Sequence, residues 1–257
     1  RKLVDATFYQ TSVPSTHTPN FEVAAGVDLA VPGDLPALWK EPDTLPERYV
    51  VLGAGKTAMD TVVWLIQAGV DPDSISWVRP RESWLWNRDY TQPGKQFFEQ
   101  VMSMQLALLR TAGEAQDGAE WMRKLGEQGY YLRIDENVEP EMFHYATISQ
   151  GEIDILRQVK DVIRMGRVSA LQPSKMVFAD SEVSMPASSL FIDCTASAVP
   201  FEARQRSGPV FREGEIVLQP LHVPVISASA AVAAFIEAQA DDEPVKDLSA
   251  SPAPPSA

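Results

Sequence analysis

The most chemically suggestive segment is the G-x-G-x-x-A turn Gly53–Ala58, which directly follows the short apolar run Tyr49–Leu52. In such a turn the first glycine permits a tight bend, the second lets the backbone approach a pyrophosphate, and the small third residue lets the helix lie close to its strand. The unpaired N–H groups and the positive dipole end of the following helix favour phosphate. The pattern therefore predicts that a dinucleotide binds here, through Gly53, Ala54, Gly55, Lys56, Thr57 and Ala58.

The elements around the turn match what this fingerprint requires. Apolar residues recur at helical spacing from Lys56 to Gly69, where a glycine ends the pattern. The segment 71–73 has turn-forming residues, and Ser74–Val78 is predicted to be a second strand. Strand, turn, helix and strand together have the length of one βαβ unit. The alternative is a chance glycine pair in a surface turn, and this context disfavours it.

Two arginines stand at the end of the second predicted strand. An NAD-specific site usually has an acidic residue there, about 20 residues after the glycine turn, to bind the ribose 2′-hydroxyl. Here the strand ends with Arg79 and Arg81, whose guanidinium groups suit phosphate oxygens. Asp73 has the right separation but falls in the turn before the strand. Arg79 and Arg81 therefore predict NADP(H), bound through its 2′-phosphate, and two solvated surface arginines are the alternative.

The segment Trp84–Arg88 follows these arginines. Its two tryptophans and one cation could wall a cleft for nicotinamide or for a small-molecule substrate, or the tryptophans could be ordinary packing. Packing is the better interpretation for the tryptophans, and Asn87 and Arg88 are kept as candidate cleft residues. No general acid or base can be named from the sequence.

Composition narrows the function further. The chain has 257 residues, 45% of them hydrophobic, and a formal net charge of −13, which disfavours nucleic acid and anionic membrane surfaces as partners. No apolar run is long enough to span a bilayer, and no signal peptide is evident, so a cytoplasmic location is expected. Cys194 is the single cysteine, which excludes an internal disulfide. His17, His144 and His222 lack metal-ligand spacing, so no metal site is predicted.

Further along the chain, periodicity predicts helices over 96–109, 119–128, 152–164 and 230–240, and strands over 130–134, 168–171, 176–178 and 189–193. The fold class is therefore α/β. Proline-rich residues 1–47 are typical of a connection between domains. The Ser/Pro/Ala-rich end of the chain predicts a disordered tail over residues 241–257.

The sequence resembles the two-dinucleotide-binding-domain flavoproteins, a group of FAD/NAD(P)-dependent oxidoreductases that includes flavin-containing monooxygenases. The resemblance is strongest over Tyr49–Gly94, and VIRMGRV at Val162–Val168 and LFIDCTAS at Leu190–Ser197 also fit. It implies a Rossmann-like three-layer NAD(P)H-binding domain over residues 48–187, inserted into an FAD-binding domain. Residues 1–47 and 188–240 would then belong to the flavin half. Asp193, Thr195 and Ala196 would lie at the junction as cofactor-binding residues.

One feature departs from this family. Of the 14 glycines, only Gly53 and Gly55 form a G-x-G pair, whereas the family has a second such turn for FAD. FAD binding is therefore expected to need a segment upstream of Arg1, and the lack of an initial methionine favours truncation. Two hypotheses follow: the NADPH-binding part of an FAD-dependent oxidoreductase, or a non-catalytic NAD(P)-binding or sensing module. The substrate, the use of O₂ and the oligomeric state cannot be predicted from the sequence.

Overall fold

The computed structural model describes residues 1–8, 12–38, 40, 45–197, 208–221 and 226–250, without the side chains of residues 144, 145, 226 and 227. His222 and the side chain of His144 therefore lie outside the described residues, as does the segment 251–257 of the predicted tail. The chain divides into two compact units, Thr18–Thr195 and the combination of Arg1–His17 with Ala196–Ala257. Each unit is described by itself.

The described strands and helices are numbered in chain order. The strands are β1 (Leu3–Asp5), β2 (Glu22–Val23), β3 (Asp28–Ala30), β4 (Arg48–Leu52), β5 (Ile75–Val78), β6 (Ser83–Asn87), β7 (Tyr131–Leu132), β8 (Met142–Ile148), β9 (Asp161–Ile163), β10 (Ala170–Gln172), β11 (Lys175–Val177), β12 (Glu182–Ser184), β13 (Ser189–Asp193), β14 (Phe211–Arg212) and β15 (Glu215–Val217). The α-helices are α1 (Leu35–Leu38), α2 (Lys56–Gln67), α3 (Phe98–Glu114), α4 (Gly118–Glu127), α5 (Gln150–Leu156), α6 (Ile226–Gln239) and α7 (Glu243–Ser249).

A five-stranded sheet in the order β3-β13-β4-β5-β9 forms the centre of the larger unit, and all its neighbouring strands are parallel. Strand β4 is central, with Val50 opposite Phe191 of β13 and Ser76 of β5. Its run Tyr49–Leu52 is buried along its whole length, as expected for a parallel strand that is covered on both faces.

Alternate residues of the sheet enter two different cores. Val51 and Trp77 pack with α2 and α5, whereas Val50 and Leu52 pack with the strands β10 and β11. The second core includes Met176 of β11, whose sheet has the order β12-β11-β10-β2. The larger unit is therefore a mixed α/β structure with helices on one face of a parallel sheet and a second sheet on the other.

Helix α2 connects β4 to β5. It buries Ala58, Met59, Val62 and Leu65 on the sheet face that contains Val51 and Trp77. The helix ends before Gly69, which has a positive φ of 96° and donates its N–H to the carbonyl of Ile66. The prediction of a helix terminated by Gly69 is confirmed, because this backbone conformation suits glycine.

Between β5 and β9 the chain forms a small sheet in the order β7-β6-β8, covered by α3 and α4. Its core contains Trp84, Met104, Leu125 and Tyr131. Trp84 is buried with its ring directly against Gly126 of α4, where a Cβ would have no room. The two tryptophans of β6 are thus packing residues within this unit.

The predicted helix over 152–164 is wrong in its second half. Helix α5 begins at a capping box, in which the Ser149 hydroxyl accepts from the Glu152 N–H and the Glu152 carboxylate accepts from the Ser149 N–H. The helix ends at Leu156, and Asp161–Ile163 forms the edge strand β9 beside β5. Pairing of this β-branched segment with the sheet outweighs the helical periodicity that the sequence suggested.

The smaller unit has a sheet in the order β1-β15-β14 and the helices α6 and α7. Helix α7 lies in the segment for which composition predicted a disordered tail, and two of its residues explain the difference. Lys246 is buried and lies 2.8 Å from Glu237, while Asp247 accepts the N–H groups of Val210 and Phe211 at 2.9 Å. Within the described part of both units, no helix combines the length and hydropathy that crossing a bilayer requires.

Candidate functional site

The glycine turn lies at the carboxyl end of β4, where contacts from two neighbouring strands fix Gly53. Its φ is 127°, and a Cβ at this position would lie 2.8 Å from the carbonyl oxygen of Cys194, directly after β13. On the other side, the Trp77 indole donates to the Gly53 carbonyl at 2.8 Å, and the Gly53 N–H donates to Val78 at 3.1 Å. A side chain here would be both strained and obstructed, so only glycine fits.

The second half of the turn is open. Gly55 is the residue before α2, and apart from its own neighbours in the chain no atom lies within 4 Å of the position that its Cβ would occupy. The first hydrogen bond of the helix runs from the Met59 N–H to the Gly55 carbonyl at 3.1 Å, so the N–H groups of residues 56–58 have no partner within the helix. Ala58 is fully buried and lets α2 approach the sheet closely. The turn thus presents free backbone donors and the positive end of the helix dipole at an accessible point.

The topology of the sheet places this turn where strand order reverses. The chain continues from β4 to β5 and β9 on one side, whereas β13 and β3 lie on the other side of β4. In open parallel sheets the loops diverge at such a point, and ligands bind in the crevice outside the carboxyl ends of the strands. The Gly53–Ala58 turn occupies this position.

The segment directly after β13 lies against the turn, through the contact between Gly53 and Cys194. Asp193 is buried, and its carboxylate accepts from the Thr195 N–H at 2.8 Å and from the Thr195 hydroxyl at 2.6 Å. The Cys194 N–H donates to Leu52 at 2.9 Å, which fixes the carbonyl group that faces Gly53. Asp193 therefore shapes the loop, while Thr195 is exposed at its end. Ala196 comes next in the chain and is the first residue of the other unit's second segment.

The thiol near the turn is buried and held in its neutral form. Cys194 is buried, and burial raises the pKa of its thiol to about 12, with the Thr61 hydroxyl 3.5 Å from the sulfur. A neutral thiol at physiological pH lacks the thiolate character that cysteine chemistry needs.

Next to the open side of the turn, one carboxylate holds two cations. Glu152 lies 3.1 Å from the Lys56 ammonium and 3.1 Å from the Arg88 guanidinium, and Lys56 also contacts Asp60. Burial alone would raise the pKa of Glu152, but the hydrogen bonds from Ser149 and the charge of Lys56 lower it to about 2. Lys56 and Arg88 were predicted separately from the sequence, and the structure brings them together through Glu152. The Ser149-x-x-Glu152 capping box is visible in the sequence, but its link to Lys56 is not.

Arg79, predicted as a 2′-phosphate ligand, points into the protein. Its side chain is 3% exposed and makes a two-point ion pair with Glu82, with nitrogen–oxygen distances of 3.1 and 3.2 Å. Its guanidinium also lies 4.7 Å from the centre of the Trp77 ring. Burial lowers the pKa of Arg79 and raises that of Glu82, while the opposite charge of each partner counteracts the shift. We therefore do not retain Arg79 as a phosphate ligand.

A second arginine and an aspartate, both half-buried, lie beside this buried ion pair. Arg164 follows β9 and lies 2.7 Å from Asp135 and 3.8 Å from Glu82. The sequence analysis did not find these contacts, because they join positions that are far apart in the chain.

The other two predicted residues of this region differ in availability. Arg81 is exposed and makes no ion pair with the described part of the chain. Asn87 is held within its own loop, since its amide donates to the Gly129 carbonyl at 2.9 Å and its oxygen accepts from the Asp89 N–H at 3.1 Å. Among Arg79, Arg81 and Asn87, Arg81 therefore has the charged side chain that is exposed and has no ion-pair partner in the described part of the chain.

Comparison with known proteins gives relatives but no family assignment. The chain is 37% identical over 254 residues to uncharacterized proteins of Mycobacterium bovis and Mycobacterium tuberculosis, a match that covers 99% of this chain and 46% of each relative. The chain thus spans about half the length of the curated relatives it matches. No model of a known protein family matches the chain.

Proposed function

We propose that this chain is the NADP(H)-binding part of an FAD-dependent oxidoreductase, with a Rossmann-like three-layer nucleotide domain. The observation that carries the proposal is the turn at Gly53–Ala58. Gly53 is fixed against Cys194, and the backbone donors at the start of α2 are open. This arrangement suits a pyrophosphate, and its position where strand order reverses suits a dinucleotide.

The phosphate groups of NADP(H) have candidate partners in the chain. The amides of residues 56 and 57 would bind the pyrophosphate, and Lys56 and Arg88 would contact it by exchanging their present partners Glu152 and Asp60 for phosphate oxygens. Arg81, in the loop between β5 and β6, would bind the 2′-phosphate. When both cofactors are bound, NADPH supplies hydride to the flavin, and the contribution of this chain is to hold and orient the dinucleotide.

The chain has a glycine turn for NADP(H) but no second one for FAD. The chain has one G-x-G pair, and the structure uses it at the Gly53 turn. In this proposal the glycine turn that holds FAD lies in the part of the longer relatives that falls outside the match. A cytoplasmic setting and a small-molecule substrate belong to the same proposal.

A non-catalytic NAD(P)-binding or sensing module is the second candidate. It requires only the one G-x-G pair that the chain has. Both candidates share the nucleotide site, and they differ only in whether a flavin receives hydride.

Absorption spectroscopy of the full-length Mycobacterium tuberculosis relative distinguishes the two candidates. The oxidoreductase proposal predicts a flavin band that bleaches when NADPH is added without oxygen. A colourless protein that binds NADPH would support the sensing module. A protein that binds neither nucleotide would contradict both.

Replacing Arg81 tests the choice of nucleotide. In Arg81→Ala we expect the Kd for NADPH to rise by roughly 10- to 100-fold, the loss of a charge-assisted contact, with little change for NADH. Isothermal titration calorimetry of the 257-residue chain measures the Kd for NADPH and the Kd for NADH. Arg123→Ala, an exposed arginine on α4, is the matched control and should change neither. Equal weakening of both nucleotides by Arg81→Ala would contradict the assignment.

A further inference from the structure

Helix α3 has two apolar faces, of which one is exposed. Met104, Ala107 and Thr111 are buried on the inner face, and the Trp121 indole donates to the Leu108 carbonyl at 3.0 Å. The outer face carries four large apolar side chains at spacings of four, four and three residues, which places them on one stripe. These are Phe98, Met102, Leu106 and Leu109, with 63%, 37%, 62% and 75% of their surface exposed.

A stripe of this kind differs from scattered surface hydrophobics. Single exposed apolar residues are normal on soluble proteins, whereas a contiguous row along one helix indicates an interaction surface. The 17 residues of α3 extend for about 25 Å at 1.5 Å per residue. That length suits packing against another helix.

The charges beside the stripe identify the occupant. Glu99 and Arg110 are both exposed, and neither makes an ion pair within the described ranges of the chain. They are 11 residues apart, about three helical turns, so both lie on the same flank of the stripe. One is near the beginning of the helix and the other near its end. When two copies of α3 pack antiparallel, same-flank residues from opposite ends meet across the interface.

We infer that the outer face of α3 is a homodimer interface, in which two copies of this helix pack antiparallel about a two-fold axis that crosses the outer face between Met102 and Leu106. That axis brings Phe98 towards Leu109 of the second copy and Met102 towards Leu106. It also places Glu99 near Arg110 of the second copy, twice by symmetry. Flanking charges of this kind set the orientation of a helix pair, and the apolar stripe supplies most of the affinity.

The test is the oligomeric state of the 257-residue chain, measured by light scattering and sedimentation over a range of concentrations. The wild type should reach twice the monomer mass of 28.3 kDa. Leu106→Glu should weaken the dimer on the order of a hundredfold or more, because it would bury an unpaired charge. Leu248→Glu, at an apolar side chain on α7 that is 83% exposed, is the control and should leave the dimer unchanged.

A charge swap tests the antiparallel arrangement itself. Glu99→Arg and Arg110→Glu should each raise the dimer Kd roughly tenfold, since each replaces two attractive pairs by two repulsive ones. The double variant restores both pairs and should return the Kd to near the wild-type value. Circular dichroism confirms that each variant is folded.

Three results would overturn the inference. The first is a monomer at every concentration, and the second is a dimer that Leu106→Glu does not weaken. The third is a double variant as weak as the single ones. A monomer destabilised by Leu106→Glu would show that the stripe is covered within one chain.

Discussion

The turns after β4 and β5 lie side by side at the same edge of the sheet, yet they differ in what they expose. The turn after β4 leaves backbone N–H groups open, whereas the charged side chain directly after β5 is buried. After β4, Gly53 and Gly55 leave backbone donors accessible. After β5, Arg79 turns inward and pairs with Glu82. A function that depends on backbone shape is encoded by the few residues of the turn. A function that depends on a side chain also depends on which neighbours compete for that side chain.

The largest loss of stability that this comparison predicts follows from breaking the buried ion pair of Arg79 and Glu82. Glu82→Ala would leave Arg79 charged, unpaired and 3% exposed, and we expect the free energy of unfolding to fall by about 3–5 kcal/mol. Urea denaturation measures this change. Glu139→Ala, which removes the exposed partner of Arg133, is the control and should cost less than about 1 kcal/mol. Similar values for both variants would show that Arg79 is not held as described.

The next effect is at the glycine turn. In Gly53→Ala the new methyl group would meet the Cys194 carbonyl at 2.8 Å in a backbone conformation that alanine disfavours. We expect a loss of roughly 2–4 kcal/mol in unfolding free energy, together with loss of NADPH binding.

Gly113→Ala is the matched control for the turn. This glycine lies in the last turn of α3 with open space around it, so alanine should be neutral or stabilise by about 0.5–1 kcal/mol. If Gly53→Ala were as well tolerated as Gly113→Ala, the turn could not have the conformation described.

A smaller effect on stability comes from Glu152. Its contacts lower the pKa of its carboxyl group from the ordinary value of 4.5 to about 2 in the folded chain. A carboxyl group with a lowered pKa stabilises the fold above its unfolded-state pKa and loses that contribution as the pH falls. We therefore expect the wild type to lose up to about 3 kcal/mol from this group between pH 4.5 and pH 2.

Glu152→Gln isolates this contribution. The variant should be less stable than the wild type near neutral pH, and the two curves should converge as the pH falls through this range. Denaturant unfolding at several pH values provides the curves. A constant difference at all pH values would mean that packing, and not the charge of Glu152, accounts for the effect.

The sequence predicted the features of the fold that depend on local patterns. Helix α2 was predicted from periodicity and its terminal glycine, and the strands β4, β5 and β13 from apolar runs. Strand β9 was missed because its pairing with β5, rather than its own pattern, determines its conformation. The helix α7 was missed because its stability comes from contacts of Lys246 and Asp247 with distant residues.

The same distinction holds for the candidate site. Gly53, Gly55 and Ala58 were found because their roles follow from chain geometry at the turn itself. The burial of Arg79 could not be predicted, since it depends on Glu82 together with residues that β9 and the loop after β7 bring near. Likewise, the contact of Lys56 with Glu152 joins residues that are 96 positions apart.

Hydrogen–deuterium exchange of the peptide that contains residues 53–58, with and without NADPH, tests the central claim most directly. The N–H groups of Lys56 and Thr57 have no partner within α2 and belong to residues that are not buried, so they should exchange quickly in the free chain. Binding of the pyrophosphate predicts slower exchange there, with a larger effect for NADPH than for NADH at equal concentration. Unchanged exchange at this turn under saturating NADPH would contradict the assignment of the nucleotide site.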